Sequence, residues 1–305
     1  MIAAAPRNLF LSGVLLLAAA PVQAQNRGVY PLGMSATGSG ITAEPGFTYA
    51  NQLLSYSRDR AKNGEGETTV TGANSVIMDM NTIAWVSNLR VLGARYSASA
   101  TLPFARNSLT SDVVGPISGG SGLADSYYLP VILGWSGRRT MVRAMYGFLA
   151  PTGRFVKDAT DNVGSGYWTH AYSTGQTVYL TANRTLVLSA FQMYEVHTEQ
   201  KDTGVRPGDT FDLDYSLLAG IGNWNDVRVQ AGLAGYHARQ TTAKTGPAVT
   251  SDASDSRYDV NSLGLAVTVA IPRFKTSLGF KYFNEFANRS TYEGHSVQVQ
   301  GAISF

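Results

Sequence analysis

The sequence predicts an all-β fold: a transmembrane antiparallel β-barrel of about twelve strands, with long extracellular loops and short periplasmic turns. Three observations lead there. Apolar and polar residues alternate with period two along most of the chain, the connections between these stretches are long and short in turn, and the N-terminus reads as an export signal. The 305 residues divide accordingly into a signal peptide (1–24), a segment without strand pattern (25–45) and a barrel (46–305).

At the N-terminus, Arg7 precedes the apolar stretch LFLSGVLLLAAA, and PVQAQ follows with small residues at Val22 and Ala24. This is the order of a secretory signal, and cleavage is expected after Ala24. The apolar run falls short of the ~20 residues that a membrane-spanning helix needs. Residues 25–45 are rich in Gly, Ser and Thr and show no alternation. They are expected either as a periplasmic N-terminal tail or as a plug-like segment folded into the barrel.

Strands are expected at 47–58, 75–87, 92–104, 123–135, 142–148, 167–180, 185–197, 211–221, 227–240, 263–271, 274–282 and 295–305. The third is the cleanest: Leu92, Ala94, Tyr96, Ala98, Ala100, Leu102 and Phe104 alternate with Gly93, Arg95, Ser97, Ser99, Thr101 and Pro103. A helix would scatter these residues around its circumference, whereas a strand sends them to two faces. In 211–221, Phe211, Leu213, Tyr215 and Leu217 oppose Asp212, Asp214 and Ser216. The last stretch, GHSVQVQGAISF, sets His295, Val297, Val299, Ile303 and Phe305 against Ser296, Gln298, Gln300 and Ser304.

The connections strengthen the reading. RDRAKNGEGETTVTGAN, ARNSLTSDVVGPISGGSG, PTGRFVKDATDNVGSG, TEQKDTGVRPGD, TTAKTGPAVTSDASDSR and FANRSTYEG alternate with short turns such as SGRRT, TANRT, GNWND and Pro272-Arg273. Backbone polar groups in hydrocarbon have to be paired within the protein, so a spanning sheet closes on itself. An even number of strands places both termini on the periplasmic side. A lipid-facing Arg or Lys at the midplane costs roughly 2–4 kcal/mol, which turns the polar face of each strand inward. Phe104, Trp135, Tyr146, Phe148, Tyr215, Tyr282 and Phe305 suit aromatic girdles at headgroup level.

The inward face supplies the candidate site. Arg95, Arg143, Met141, Met145, His170, Asp212, Asp214, Arg228, Lys275, Lys281 and Glu285 are the candidate lumen-lining residues. Their charges suit either ladders of opposite sign that hold a narrow barrel together or a conducting pathway. The methionines would soften the interior for an apolar or aromatic solute. His237 is a further candidate for the lumen, and His197 for a loop rim. No catalytic, cofactor-binding or metal-ligating set is expected: the four histidines form no HExxH, and His295 and Ser296, as neighbours on a strand, point to opposite faces. There is no cysteine, which excludes thiol chemistry and lipid attachment to an N-terminal cysteine. A net charge of +3 without a dense basic run gives no sign of a nucleic-acid partner. PTGRF and GSGYWT lack the lysine and the strand–helix context of a phosphate loop.

APTGRF (150–155), NVGSGYWT (162–169), RPGDTFDLDYSL (206–217), AGLAGYHARQ (231–240) and KYFNEFANRSTYEGHSVQVQ (281–300) together resemble one family of outer-membrane proteins. It is the group described as putative MetA-pathway of phenol degradation, related to fatty-acid and aromatic uptake channels. Phe155 and Ser165 depart from its pattern, where tyrosine and a basic residue are expected. The resemblance implies passage of small hydrophobic or aromatic molecules and carries no catalytic residues. The expected function is therefore passive uptake through the outer membrane, the alternative being a non-conducting surface protein that acts through its loops. The expected partners are outer-membrane lipid, the barrel-assembly machinery, which would read Phe305 as its signal, and a small apolar or aromatic solute.

Overall fold

The structure, a computed structural model, describes residues 28–224, 226–247 and 249–305. The expected signal peptide lies outside these residues, as do the first three residues of the following segment. Thirteen strands form one antiparallel sheet: β1 (Gly46–Lys62), β2 (Thr68–Val91), β3 (Ala94–Ser111), β4 (Gly115–Leu123), β5 (Ser126–Ser136), β6 (Thr140–Ala150), β7 (Thr169–Tyr179), β8 (Leu186–His197), β9 (Thr210–Trp224), β10 (Val227–Gln240), β11 (Asp259–Ile271), β12 (Thr276–Arg289) and β13 (Tyr292–Ser304). β4 pairs only with the outer half of β3, and β5 takes over the inner half. The remaining twelve strands close into a ring, with each strand paired to the next in sequence and β13 returning to β1.

The seam is sealed by the last residue. Phe47 N–H donates to the Phe305 carbonyl (3.1 Å), and Phe305 N–H donates to the Phe47 carbonyl (2.9 Å). Gly46 lets the chain turn into this pairing at φ 137°; a Cβ there would lie 2.6 Å from the Phe305 oxygen. With the seam paired, no strand edge of the ring is left open, the condition that hydrocarbon imposes.

Side chains alternate as a barrel wall requires. Leu102, Phe104, Leu263, Leu265, Leu278, Phe280, Val299 and Ile303 are exposed on the outside. Their neighbours Thr101, Ser262, Lys281, Ser296 and Gln298 are buried inside.

At the end that carries Gly46 and Phe305 the connections are turns. Leu92 and Gly93 make the tightest, both at positive φ (52° and 79°), and the Pro272–Phe274 3₁₀ turn links β11 to β12. The opposite end differs from the expectation of six long loops. β1 and β2 run on past the barrel rim to a five-residue turn at 63–67, β3 and β4 form a projecting hairpin, and only Ser290 and Thr291 separate β12 from β13. The physical reason is strand chemistry inside the polar stretches: TTVT and SLTS are β-branched or small, and they pair across the hairpin once its partner strand is in place. Extended loops remain at 151–168, 198–209 and 241–258, the last holding a short helix, α1 (Ser251–Asp255).

Candidate functional site: the barrel lumen

Residues 28–40 lie inside the barrel, with 41–45 leading out to its rim, and the wall's inward polar groups hold their backbone. The Asp214 carboxylate on β9 accepts from the Tyr30 hydroxyl (2.6 Å) and from the backbone N–H groups of Gly33 (2.9 Å) and Ser35 (3.0 Å). Burial, and then the Asp214 charge, push the Tyr30 phenol well above its ordinary range, so it stays a donor. From β12, the Lys281 ammonium donates to the carbonyls of Gly33 (2.9 Å) and Met34 (2.5 Å). Gln298 and Tyr56 both donate to the Leu32 carbonyl, at 2.8 and 3.0 Å. Ser216 donates to Ala36 O (2.6 Å) and Arg143 Nε to Ser39 O (2.6 Å). Gly40 presses directly on β6, where a Cβ would come within 2.1 Å of the Met141 carbonyl. Farther along, Arg95 meets Ala43 O and the Glu44 carboxylate (3.1 Å).

These contacts answer what the inward charges do. Arg95, Arg143, Lys281 and Asp214 bind the inserted segment, mostly through its backbone. Glu285 belongs to a separate network with Arg58 (3.5 Å), the Tyr236 hydroxyl (3.0 Å) and Asn288 (3.1 Å). Asp212 is buried beside Asp214 on the same inward face. Met145 lies in the buried cluster, and Met141 shares its inward parity on β6.

Three sequence-derived lumen candidates lie elsewhere. His170 sits on the outer face: its inward neighbours are Thr169 and Ala171, both fully buried, and its ring shares a hydrogen bond with Tyr146 (2.9 Å) and stacks on it. Lys275 occupies the exposed turn after Phe274, because Pro272 ends the ladder before the alternation can continue. Arg228 is exposed at the start of β10, at the rim rather than in the bore. Of the remaining histidines, His237 shares the outward parity of Leu233 and bonds Asn261 (2.9 Å). His197 is buried inside, against Thr169 (2.8 Å).

Between the inserted segment and the wall lies a cavity of about 340 Å³. Met34, Met78, Met80 and Met193 line it together with Leu129 and Tyr127; Arg143, Glu195 and Gln52 bring polar groups to its edge. Serine, threonine and asparagine side chains complete a lining of mixed character, in which the methionines form the polarizable part that suits an apolar group. Sequence reasoning missed Met34, Met78, Met80, Met193 and Glu195. The signal was present: β8 carries Phe191, Met193 and Glu195 on one parity, all inward and buried.

The glycine-containing loop motifs PTGRF and GSGYWT enclose a carboxylate of the chain itself. Asp125 accepts from Gly153 N–H (3.0 Å), Ser165 N–H (2.7 Å) and the Ser165 hydroxyl (2.5 Å). Both departures from the family pattern take part in this packing. Ser165 supplies a donor to Asp125, and the Phe155 ring lies against Gly166, whose Cβ would meet it at 2.4 Å.

Comparison with known proteins agrees with the architecture. An outer membrane channel from Pseudomonas putida F1 shares the fold with a TM-score of 0.74 and 14% identity, over 88% of this chain and 98% of that one. The β domain of the Bordetella autotransporter BrkA gives a TM-score of 0.56 at 14% identity, over 86% of this chain and all of that one. The chain thus has the fold of an outer-membrane β-barrel. No curated protein matches it. A family model described as "Putative MetA-pathway of phenol degradation" matches residues 58–300.

Proposed function

The chain belongs to that family of outer-membrane barrel proteins, and from this premise we propose that it is an outer-membrane channel for passive uptake of small hydrophobic or aromatic compounds. The observation that carries the reading is the methionine-lined cavity between residues 28–40 and the wall. A water-filled pore for polar solutes would be lined by charges facing open space. Here Arg95, Arg143, Lys281 and Asp214 are engaged by the inserted segment, and four methionines with Leu129, Leu149 and Val163 share the cavity lining with serine, threonine and glutamine side chains.

In this reading the chain is exported by a signal cleaved after Ala24, and the assembly machinery recognises the strand ending in Phe305. The barrel then stands in the outer membrane with its turns in the periplasm. The solute partitions into the cavity through burial of apolar surface, worth about 25 cal/mol per Å². Residues 28–40 act as a constriction, and a solute passes when part of the segment leaves its hydrogen bonds to the wall.

The test is uptake of a radiolabelled monoaromatic hydrocarbon by cells with and without the gene, together with recordings in planar bilayers. Uptake that falls several-fold on deletion, with only small ionic conductance, is the expected pair. Unchanged uptake with no conductance would leave a non-conducting surface protein acting through its loops.

A further inference from the structure

The cavity holds two polar atoms that the fold leaves unsatisfied. Among the described residues, Tyr127 Oη and Glu195 Oε1 are both buried from solvent and have no hydrogen-bond partner. Both residues line the cavity.

The rest of Glu195 is fixed. Its other oxygen, Oε2, accepts from the Thr210 hydroxyl (2.7 Å) and from Val29 N–H (3.1 Å). Gly28 sits so close that a Cβ there would lie 2.2 Å from the same oxygen. Oε1 therefore cannot swing to another wall group without breaking these contacts. Tyr127 reaches over Gly147, its Oη 2.9 Å from where a Cβ of that residue would stand. A buried polar group without a partner costs about 1–3 kcal/mol, and two such groups facing one cavity point to a ligand that satisfies both.

We propose that the lumen cavity is a binding site for small apolar molecules carrying one hydroxyl group, with the hydroxyl donating to Glu195 Oε1 and accepting from the Tyr127 hydroxyl. A hydroxyl is the smallest group that is donor and acceptor at once. A ring or short chain behind it would lie against Met34, Met193 and Leu129, all of which border the cavity. The site prefers alcohols and phenols to hydrocarbons of the same shape. This inference rests on the reading of the lumen as a path for apolar solutes and adds a chemical preference to it.

The test uses two isosteric probes, 4-fluorobenzyl alcohol and 1-ethyl-4-fluorobenzene, titrated by ¹⁹F NMR against the full barrel in lipid nanodiscs, with empty nanodiscs as the blank. The wild-type protein should bind the alcohol about tenfold more tightly than the hydrocarbon, the worth of one well-made buried hydrogen bond. Tyr127→Phe should remove most of that preference and leave the hydrocarbon's affinity within about twofold. Glu195→Gln should do the same, and the milder phenylalanine variant keeps the test usable if the glutamine variant folds poorly. Equal binding of both probes by wild type, or a preference untouched by Tyr127→Phe, overturns the hydroxyl site while leaving the apolar lumen intact. If neither probe binds above the blank, the reading of the lumen as an apolar path falls, and this inference with it.

Discussion

Tyr30→Phe removes two bonds of the inserted segment, one donated to Asp214 (2.6 Å) and one accepted from Ser35 N–H (2.9 Å). The phenol donates to Asp214 at 2.6 Å, inside the barrel, and the same carboxylate accepts from Gly33 and Ser35 N–H. Removing the hydroxyl leaves the ring's stacking on Phe191 in place, with centroids 5.3 Å apart, so the change is close to a pure hydrogen-bond deletion. Hydrogen bonds to charged groups are worth about 1.5–3 kcal/mol. At 1.4 kcal/mol per tenfold, the docked segment should open roughly 10- to 100-fold more often. Amide hydrogen exchange in micelles reads this directly: Gly33 and Ser35 should exchange faster by that factor, while ladder amides of β13 keep their protection. Asp214→Asn should produce at least as large an acceleration, because it also weakens the bonds to Gly33 and Ser35, and the double variant should add less than the sum of the two, because both changes touch the Tyr30–Asp214 contact. Exchange at Gly33 and Ser35 within twofold of wild type in both variants would refute the assignment of Asp214 as the segment's anchor.

Three further outcomes follow from the wall. Deleting Phe305 removes both bonds between Phe47 and Phe305 at the seam; the heat-modifiable, folded band in membrane fractions should fall several-fold, with little effect on ligand binding by whatever barrel assembles. Val267→Arg places a cation on the lipid-facing parity of Leu263 and Leu265. It should destabilise the barrel by about 2–4 kcal/mol, visible as a lowered urea midpoint for unfolding from lipid vesicles, whereas normal stability would overturn that parity. Leu92 holds φ at 52° with its side chain almost wholly exposed. Leu92→Gly should therefore raise the same midpoint by an amount worth about 1 kcal/mol, the cost of a left-handed non-glycine residue.

How much was legible in the sequence depended on what each strand touches inside. β9 reads cleanly because Asp212, Asp214 and Ser216 are buried inside, the latter two bonded to the segment's backbone, while Leu217 and Ile221 face outward. β7 and β8 read poorly because the polarity is partly inverted there. Phe191 and Met193 point inward against Tyr30 and its neighbours, and Thr174, Gln176 and Gln192 point outward, bonded to one another at 2.8 and 3.1 Å. The same inversion marks the first hairpin, where Leu54 and Met80 are buried inside while Asn51 bonds Asp79 (2.5 Å) and Tyr49 bonds Asn81 (2.6 Å) on the outer face. A rule that polar means inward misplaces residues wherever the lumen is filled by protein. His170 was misplaced for this reason: its strand carries Thr and Ser inside and Thr and Gln outside, so hydropathy gives no parity. Lys275 failed for a different reason, a proline that stops the ladder. The cavity was invisible because its walls come from Met34, Met78, Met80 and Met193, on three parts of the chain that only the closed ring and the inserted segment bring together.

The seam has a consequence for how the molecule is put together. The contacts of residues 28–40 with β12 and β13 join positions 248 and 266 apart in sequence, among the most distant pairings in the chain. The ring that encloses them is closed by pairing of the first strand with the last. Residues 28–40 must therefore settle into place no sooner than the final strand arrives. Long-range closures are slow, because chain entropy is lost before contacts compensate. Two kinetic phases are expected in refolding: ring closure, seen as resistance to boiling, and a later or concurrent settling of the segment, seen as protection of Gly33 and Ser35. A chain caught between them would be an intact barrel with an empty bore.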